Sequence, residues 1–181
     1  MLLFAMLATT LSMRVIASDL YARRVPNRWL LGALLLGALL LAWLAMHQGI
    51  ASTAPHAAGL LLGLCSLLPF YVMRWMGAGD VKFFAVLGFL LGWQALLPVW
   101  IGASLLAGVH AVAVYSWRSL RLHLPLRLTL LQHNVAQHRV LAPALHQVQQ
   151  ARGGRQGIPY AAYLGLTSIG WTGWTLWGTT P

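Results

Sequence analysis

The chain has few acidic residues and few charges of any kind. Asp19 and Asp80 are the only acids among its 181 residues, and Glu is absent. Charged residues make up 8% of the chain, whereas an average soluble domain carries about 25%. A soluble chain of this size could bury a core, but this one lacks the charged residues that would cover a water-facing surface. Because 59% of the residues are hydrophobic, the composition predicts an integral membrane protein.

Cysteine is almost absent as well. The one cysteine, Cys65, lies in an apolar run and cannot form an intramolecular disulfide or a zinc site rich in cysteine. His133 and His138 do not share one helical face and have no carboxylate near them in sequence, so no metal site is predicted. The N-terminal stretch lacks the basic start of a secretory signal, and we interpret it as a retained first helix.

Six apolar stretches follow one another along the chain. A membrane-spanning helix needs about 20 mostly apolar residues, and five of the stretches approach this length. The segment Gly92-Trp93-Gln94 and Pro98 separate the shorter fourth stretch from the fifth. Gly59-x-x-x-Gly63 and Gly88-x-x-x-Gly92 could let helices approach closely. The sequence therefore predicts an all-α protein with one membrane-embedded domain, 1–181, and six transmembrane helices at about 1–18, 29–46, 57–73, 81–97, 99–117 and 158–177.

Basic residues lie almost entirely on one side of these predicted helices. The two short loops on that side contain five Arg and Lys residues, and the opposite loops, about 47–56 and 92–98, contain none. The net charge of +10 could indicate nucleic-acid binding, but its one-sided placement is more typical of membrane topology. By the positive-inside rule, the basic side is cytoplasmic and both termini lie outside. The loop 118–157 combines helically spaced Leu and Val with Arg and His, which predicts an amphipathic segment on the anionic cytoplasmic leaflet.

Both acids fall at predicted cytoplasmic helix ends, Asp19 after the first helix and Asp80 before the fourth. An ionisable group beside a membrane span is costly and indicates a functional site. Two carboxylates at one membrane depth could form an aspartyl pair, in which one takes a proton from water and the protonated one polarises a peptide carbonyl. Two alternatives stay open, in which the acids have no catalytic role. Asp80 could simply cap the fourth helix, and Asp19 could simply neutralise Arg23 or Arg24.

The residues around the acids are informative. Gly77 and Gly79 precede the second acid and leave a backbone that an extended substrate could approach. Lys82 is either a topology signal or an electrostatic aid to substrate binding. His110, in the fifth helix, is expected to be a hydrogen-bonded structural group. The two segments that contain the acids read Ala17-Ser18-Asp19-Leu20-Tyr21-Ala22-Arg23-Arg24-Val25-Pro26-Asn27 and Gly77-Ala78-Gly79-Asp80-Val81-Lys82.

In order, spacing and topology, these two segments resemble the type IV prepilin peptidases, a family of GxGD aspartic membrane proteases. The resemblance covers about residues 5–117, and Ile158-Pro159-Tyr160 resembles the start of the family's last helix. It implies that Asp19 and Asp80 are the catalytic pair, facing the cytoplasm from a bacterial inner membrane. It also implies that water is the nucleophile and that no cofactor is needed. The implied substrate is a prepilin, whose basic leader is cut after a glycine and before a hydrophobic helix.

The chain resembles the short, peptidase-only form found in Tad (Flp) pilus systems. The paired cysteines of the longer members are absent, and no N-methyltransferase domain is expected before the first helix. The expected partners are a type IVb or Flp-like prepilin, membrane lipids and pilus assembly proteins, and no nucleic acid. A small transporter or channel and an inactive scaffold of the assembly machine remain as alternatives. Acids at one membrane edge argue against a transporter, and no feature of the sequence favours the scaffold.

Overall fold

The computed structural model describes residues 2–48, 53–122, 150 and 158–178. Within these residues the protein is entirely helical and contains no β-strand, which confirms the predicted all-α class. The predicted amphipathic loop, 118–157, lies mostly outside the described residues, although the fifth helix continues past its predicted end at residue 117. The α-helices whose bounds lie within the described residues are α1 (Leu2–Ala22), α2 (Asn27–Gln48), α3 (Ala54–Val72), α4 (Ala78–Leu91), α5 (Leu96–Leu122) and α6 (Tyr160–Trp177).

Four segments of the described chain are long and apolar enough to cross a membrane, namely α1, most of α2, α3 and Trp93–Trp117, which includes most of α5. Helix α4 has 14 residues and is about 21 Å long at 1.5 Å per residue, whereas the hydrocarbon core is about 30 Å thick. Helix α6, with 18 residues, is rich in Gly, Thr and Ser and is not among the four. The chain is a membrane protein, and the count of six spans stays a prediction.

Helix α4 lies at the centre of the packing. It contacts α1, α2, α3, α5 and α6, and every residue from 83 to 90 is buried. A helix that is apolar on all sides must be covered on all sides, and the surrounding helices provide that cover. Because α4 is covered by protein rather than by lipid, its short length need not match the thickness of the bilayer.

Helices α3 and α4 approach each other at glycines. A Cβ atom on Gly59 would collide with the backbone carbonyl of Gly88, and one on Gly63 would lie 2.9 Å from Cα of Ala85. Small residues at such positions let helix backbones come close in a membrane. The predicted close approach at Gly59-x-x-x-Gly63 is therefore confirmed, and Gly88 belongs to the same contact.

The predicted break between the fourth and fifth helices is confirmed at Gly92, but the predicted end of the fourth helix at residue 97 is wrong, because the helix ends at Leu91. Gly92 ends α4 with a φ of +84°, a backbone conformation that favours glycine. A single 3-10 turn, Trp93–Ala95, follows, and α5 begins at Leu96. Pro98 lies within the first turn of α5, where the missing amide hydrogen costs nothing because these amides have no partner within the helix.

Helix α6 lies against both α1 and α5. The buried hydroxyl groups of Ser12 and Ser168 are 2.8 Å apart and link α1 to α6, and the Thr167 hydroxyl donates to the carbonyl of Val99 in α5 at 3.1 Å. A Cβ atom on Gly165 would lie 2.8 Å from Cγ1 of Ile16, so α1 and α6 pack closely. This packing holds the start of α6 beside the end of α1, where Asp19 lies.

Candidate active site

A cavity of about 1000 Å³ lies where the α1–α2 loop, the α3–α4 loop and the start of α6 meet. Ligand pockets commonly enclose about 300–1,000 Å³, so this one is large enough for a peptide segment. The fold thus brings together residues that are about 60 positions apart in sequence. All five residues that the sequence predicts as site residues line this cavity: Asp19, Gly77, Gly79, Asp80 and Lys82.

Asp19 lies in the last turn of α1 and is 6% exposed. Its Oδ2 atom accepts a hydrogen bond of 3.0 Å from the backbone amide of Ala162 in α6. Ala162 is in the first turn of α6, where backbone amides have no partner within the helix. The Asp19 carboxylate supplies that partner, and the positive end of the helix dipole favours a negative charge at this position.

Asp80 lies in the first turn of α4, at the other side of the same junction. Its Oδ2 atom accepts a hydrogen bond of 3.3 Å from the amide of Gly77, and the backbone amide of Ala161 also donates to this carboxylate. The two acids therefore take hydrogen bonds from consecutive residues at the start of α6. The helix-capping role that the sequence left open for Asp80 is present, and it leaves the carboxylate on the cavity wall.

Asp80 lies before the predicted fourth span and outside the four segments that could cross a membrane. Burial raises the pKa of Asp80 to about 7, and the Asp19 carboxylate adds to this effect. Hydrogen bonds from the amides of Gly77 and Ala161 lower the pKa because they stabilise the ionised form. The cavity therefore contains a carboxyl group that can hold a proton near neutral pH.

Arg23 follows α1 directly and has a φ of +52°, which is uncommon for a residue with a side chain. Its amide donates to the carbonyl of Asp19 at 3.0 Å, and this contact ends the helix. The turn places Arg23 on the cavity wall, where its positive charge acts on the Asp19 carboxylate. Arg23 can thus neutralise Asp19, as the sequence left open, and Asp19 still lines the cavity.

The two glycines differ in what surrounds them. A Cβ atom on Gly79 would lie 3.1 Å from Cβ and 3.3 Å from Cγ2 of Val25, in the α1–α2 loop. On Gly77 it would lie 3.3 Å from Oδ2 of Asp80. The space beside Gly79 is therefore filled by the protein itself, which gives a second reason for a glycine besides the approach of a substrate.

Lys82 donates a hydrogen bond of 3.5 Å to the side-chain oxygen of Asn27. Three further basic residues line the same cavity, Arg23, Arg24 and Arg28. The described cavity wall thus contains more basic than acidic side chains. This excess of positive charge affects which substrate segment the cavity can hold.

Sequence reasoning missed the contribution of α6. The α6 donors to Asp19 and Asp80 are backbone amides, which cannot be recognised from side-chain identity. Pro159 before the helix does mark where free amides begin.

Tyr160 lines the cavity, and its hydroxyl lies 3.1 Å from that of Ser104 in α5. The hydroxyl of Tyr163 lies 2.6 Å from Nδ1 of His110, so the expectation that His110 is hydrogen-bonded is confirmed. Two tyrosines therefore link the first turn of α6 to α5.

The model of the type IV leader peptidase family matches residues 2–112, which is more than half of the chain. The chain belongs to this family of peptidases. Comparison with curated proteins and with solved structures found no match. The matched segment contains both acids and ends within α5, before α6 begins.

Among the described residues, no group of three or more His, Cys, Asp or Glu side chains could hold a metal ion.

Proposed function

We propose that this protein is an aspartic endopeptidase that removes the leader peptide of a type IVb or Flp-like prepilin, with Asp19 and Asp80 as its catalytic pair. One observation carries the proposal: the only two acids of the chain line one cavity and accept hydrogen bonds from consecutive amides of α6. Membership of the leader peptidase family supports peptide hydrolysis. We propose that residues 1–181 act as one membrane-embedded peptidase domain.

The proposed reaction needs one ionised and one protonated carboxyl group. The ionised group takes a proton from water, the resulting hydroxide attacks the scissile carbonyl carbon, and the protonated group donates to the carbonyl oxygen. The C–N bond then breaks as the first group passes its proton to the leaving amine nitrogen, while the second group takes back a proton from a hydroxyl of the intermediate as the new carboxyl group forms. The pKa of about 7 at Asp80 supports its role as the proton donor. Asp19, which accepts a hydrogen bond from the amide of Ala162 and lies close to the positive charge of Arg23, is the remaining carboxyl group, and we assign it the role of the base. No metal or cofactor takes part in this scheme.

The charges of the cavity restrict how a prepilin binds. Arg23, Arg24 and Arg28 would repel the basic residues of the leader if these entered the cavity. We therefore propose that only the segment around the scissile bond enters it. The basic residues of the leader would stay at the anionic surface of the membrane, which attracts Lys and Arg.

We also propose six spans in a bacterial inner membrane, with both termini outside and the cavity facing the cytoplasm. The support is that the two short loops bordering the cavity contain the five basic residues, which the positive-inside rule assigns to the cytoplasm. Reporter fusions after Gln48 and after Trp177 should report the outside, and a fusion after Gly153 the cytoplasm. A cytoplasmic report after Trp177 would mean an odd number of spans.

The test of the catalytic pair is replacement of each acid by its amide. Asp19→Asn and Asp80→Asn should each abolish leader cleavage, because an amide can neither take a proton from water nor donate one in the acid role. Both variants should still accumulate, since the Asn side-chain oxygen can accept the hydrogen bonds from α6 and from Gly77. Cleavage is read as a mobility shift of a co-expressed prepilin, with protein levels measured in the same membranes. Full cleavage by either variant would refute the aspartyl assignment.

A further inference from the structure

A second, apolar cavity of about 490 Å³ lies on the outer face of α4, between α2 and α3. Leu31 of α2 and Leu61 of α3 form its walls and are 60% and 62% exposed. Ala85 and Val86 of α4 form its floor and are buried. We call this cavity the α2–α3 groove.

The groove is open because its two walls do not close on each other. Helices α2 and α3 both pack against α4, but among the described residues they make few or no close backbone contacts with one another. Both helices are apolar enough to cross a membrane. The groove is therefore open toward the side of the molecule that would face the lipid.

The groove adjoins the cavity that contains the two acids. Asn27, Arg28 and Lys82 line both cavities, so they mark the junction between them. Beyond this junction the described groove walls are apolar. A peptide that extends from the acids through the junction would thus pass from a polar environment into an apolar one.

The size of the groove limits what it can embed. One turn of an α-helix about 10 Å across and 5.4 Å high occupies about 420 Å³. The groove, at about 490 Å³, therefore encloses about one helical turn. A longer apolar helix would lie against Leu31 and Leu61 with its remaining surface in the lipid, as in helix-in-groove recognition.

We propose that the α2–α3 groove binds the first apolar turn of the substrate, immediately beyond the scissile bond. The proposal rests on the proposed function, because it requires a peptide that is cut in the acid-lined cavity. The polarity of the two cavities supports it, since the groove borders the acid-lined cavity and its walls are apolar beyond the three shared residues, where the hydrophobic helix of the substrate would begin. The groove then determines which peptide bond reaches the two acids.

The experiment fills the groove with a larger side chain. Leu31→Trp and Leu61→Trp place an indole in the walls, and Leu39→Trp is the matched control, because Leu39 is an exposed α2 leucine outside the groove. Each purified full-length variant, in nanodiscs of phosphatidylethanolamine and phosphatidylglycerol, receives two synthetic peptides. The long peptide has a Lys-containing leader that ends in Gly and is followed by about 20 apolar residues. The short peptide spans the same bond and ends before the apolar segment.

The groove variants should cleave the long peptide with kcat/KM about tenfold lower, which corresponds to a loss of about 1.4 kcal/mol. They should cleave the short peptide like the wild type, and Leu39→Trp should affect neither peptide. If the groove variants cleave the long peptide normally, or lose both peptides equally, the groove is not the subsite. Cleavage of neither peptide by the wild type would instead refute the proposed function.

Photo-crosslinking separates the substrate from a lipid chain as the occupant. A photoreactive residue in place of Leu61 should form an adduct with the long peptide, whereas one in place of Leu39 should not. Adducts of the Leu61 position with phospholipid alone, in the presence of excess long peptide, would show that a lipid chain fills the groove and would overturn the proposal.

Discussion

Replacement of Gly79 by Ala tests why a glycine precedes the second acid. The sequence suggests that the open backbone accommodates a substrate, whereas the structure places Val25 where the new methyl group would lie. The nearest contacts, 3.1 Å to Cβ and 3.3 Å to Cγ2 of Val25, are shorter than ordinary van der Waals distances. The α1–α2 loop or the start of α4 must therefore move by a few tenths of an ångström.

The size of this movement sets the expected loss of activity. Asp80 follows Gly79 directly, so a shift of the α4 start also shifts the Asp80 carboxyl group. Because a misplacement of about 1 Å can cost about a hundredfold in rate, a few tenths of an ångström should cost about four- to tenfold. Gly79→Ala should thus reduce kcat by this factor at normal protein levels. Gly77→Ala should also reduce activity, because a methyl group there would lie 3.3 Å from the Asp80 carboxylate.

A second substitution distinguishes the two explanations. Val25→Ala removes the methyl group at 3.3 Å, so the double variant Gly79→Ala/Val25→Ala should regain part of the lost activity. Val25→Ala alone is the control. Cleavage rates of the purified proteins on one synthetic leader peptide provide the measurement. If Gly79→Ala loses more than about a hundredfold and Val25→Ala restores nothing, the methyl group obstructs the substrate instead, and the packing argument is wrong.

Two further predictions follow from the pKa of Asp80 and from the α3–α4 contact. The cleavage rate should fall about tenfold per unit as pH rises above about 7, because the raised pKa means that Asp80 loses its proton in this range. A constant rate between pH 6 and 9, measured on a soluble leader peptide, would contradict the assignment of Asp80 as the acid. Gly59→Ala should destabilise the protein by about 1–3 kcal/mol, because its Cβ would collide with the backbone of Gly88. Gly32→Ala, with no atom within 4 Å of the new Cβ, is the control in thermal unfolding, and equal melting of the two variants would contradict the argument.

The helical class and the positions of the six helices could be predicted from the sequence alone. Apolar runs of helical length are local features, and Gly92, Pro26 and the charged loops interrupt them locally as well. The observed helices extend beyond the predicted bounds at several ends, because polar residues such as Asp19 and Asn27 still continue a helix near the membrane surface. Asp19 and Asp80 could be selected from the sequence as candidate site residues, because acids beside a membrane span are rare and costly.

The tertiary structure decided how these two acids are held. Ala161 and Ala162 donate to them through the backbone, and a backbone amide looks the same in every sequence except at proline. The contact between Gly79 and Val25 likewise joins two loops that are far apart in sequence. The α2–α3 groove exists only because both of its walls pack on α4 rather than on each other. Periodicity and composition describe one helix at a time, whereas each of these features depends on the distance between helices, which only the packing sets.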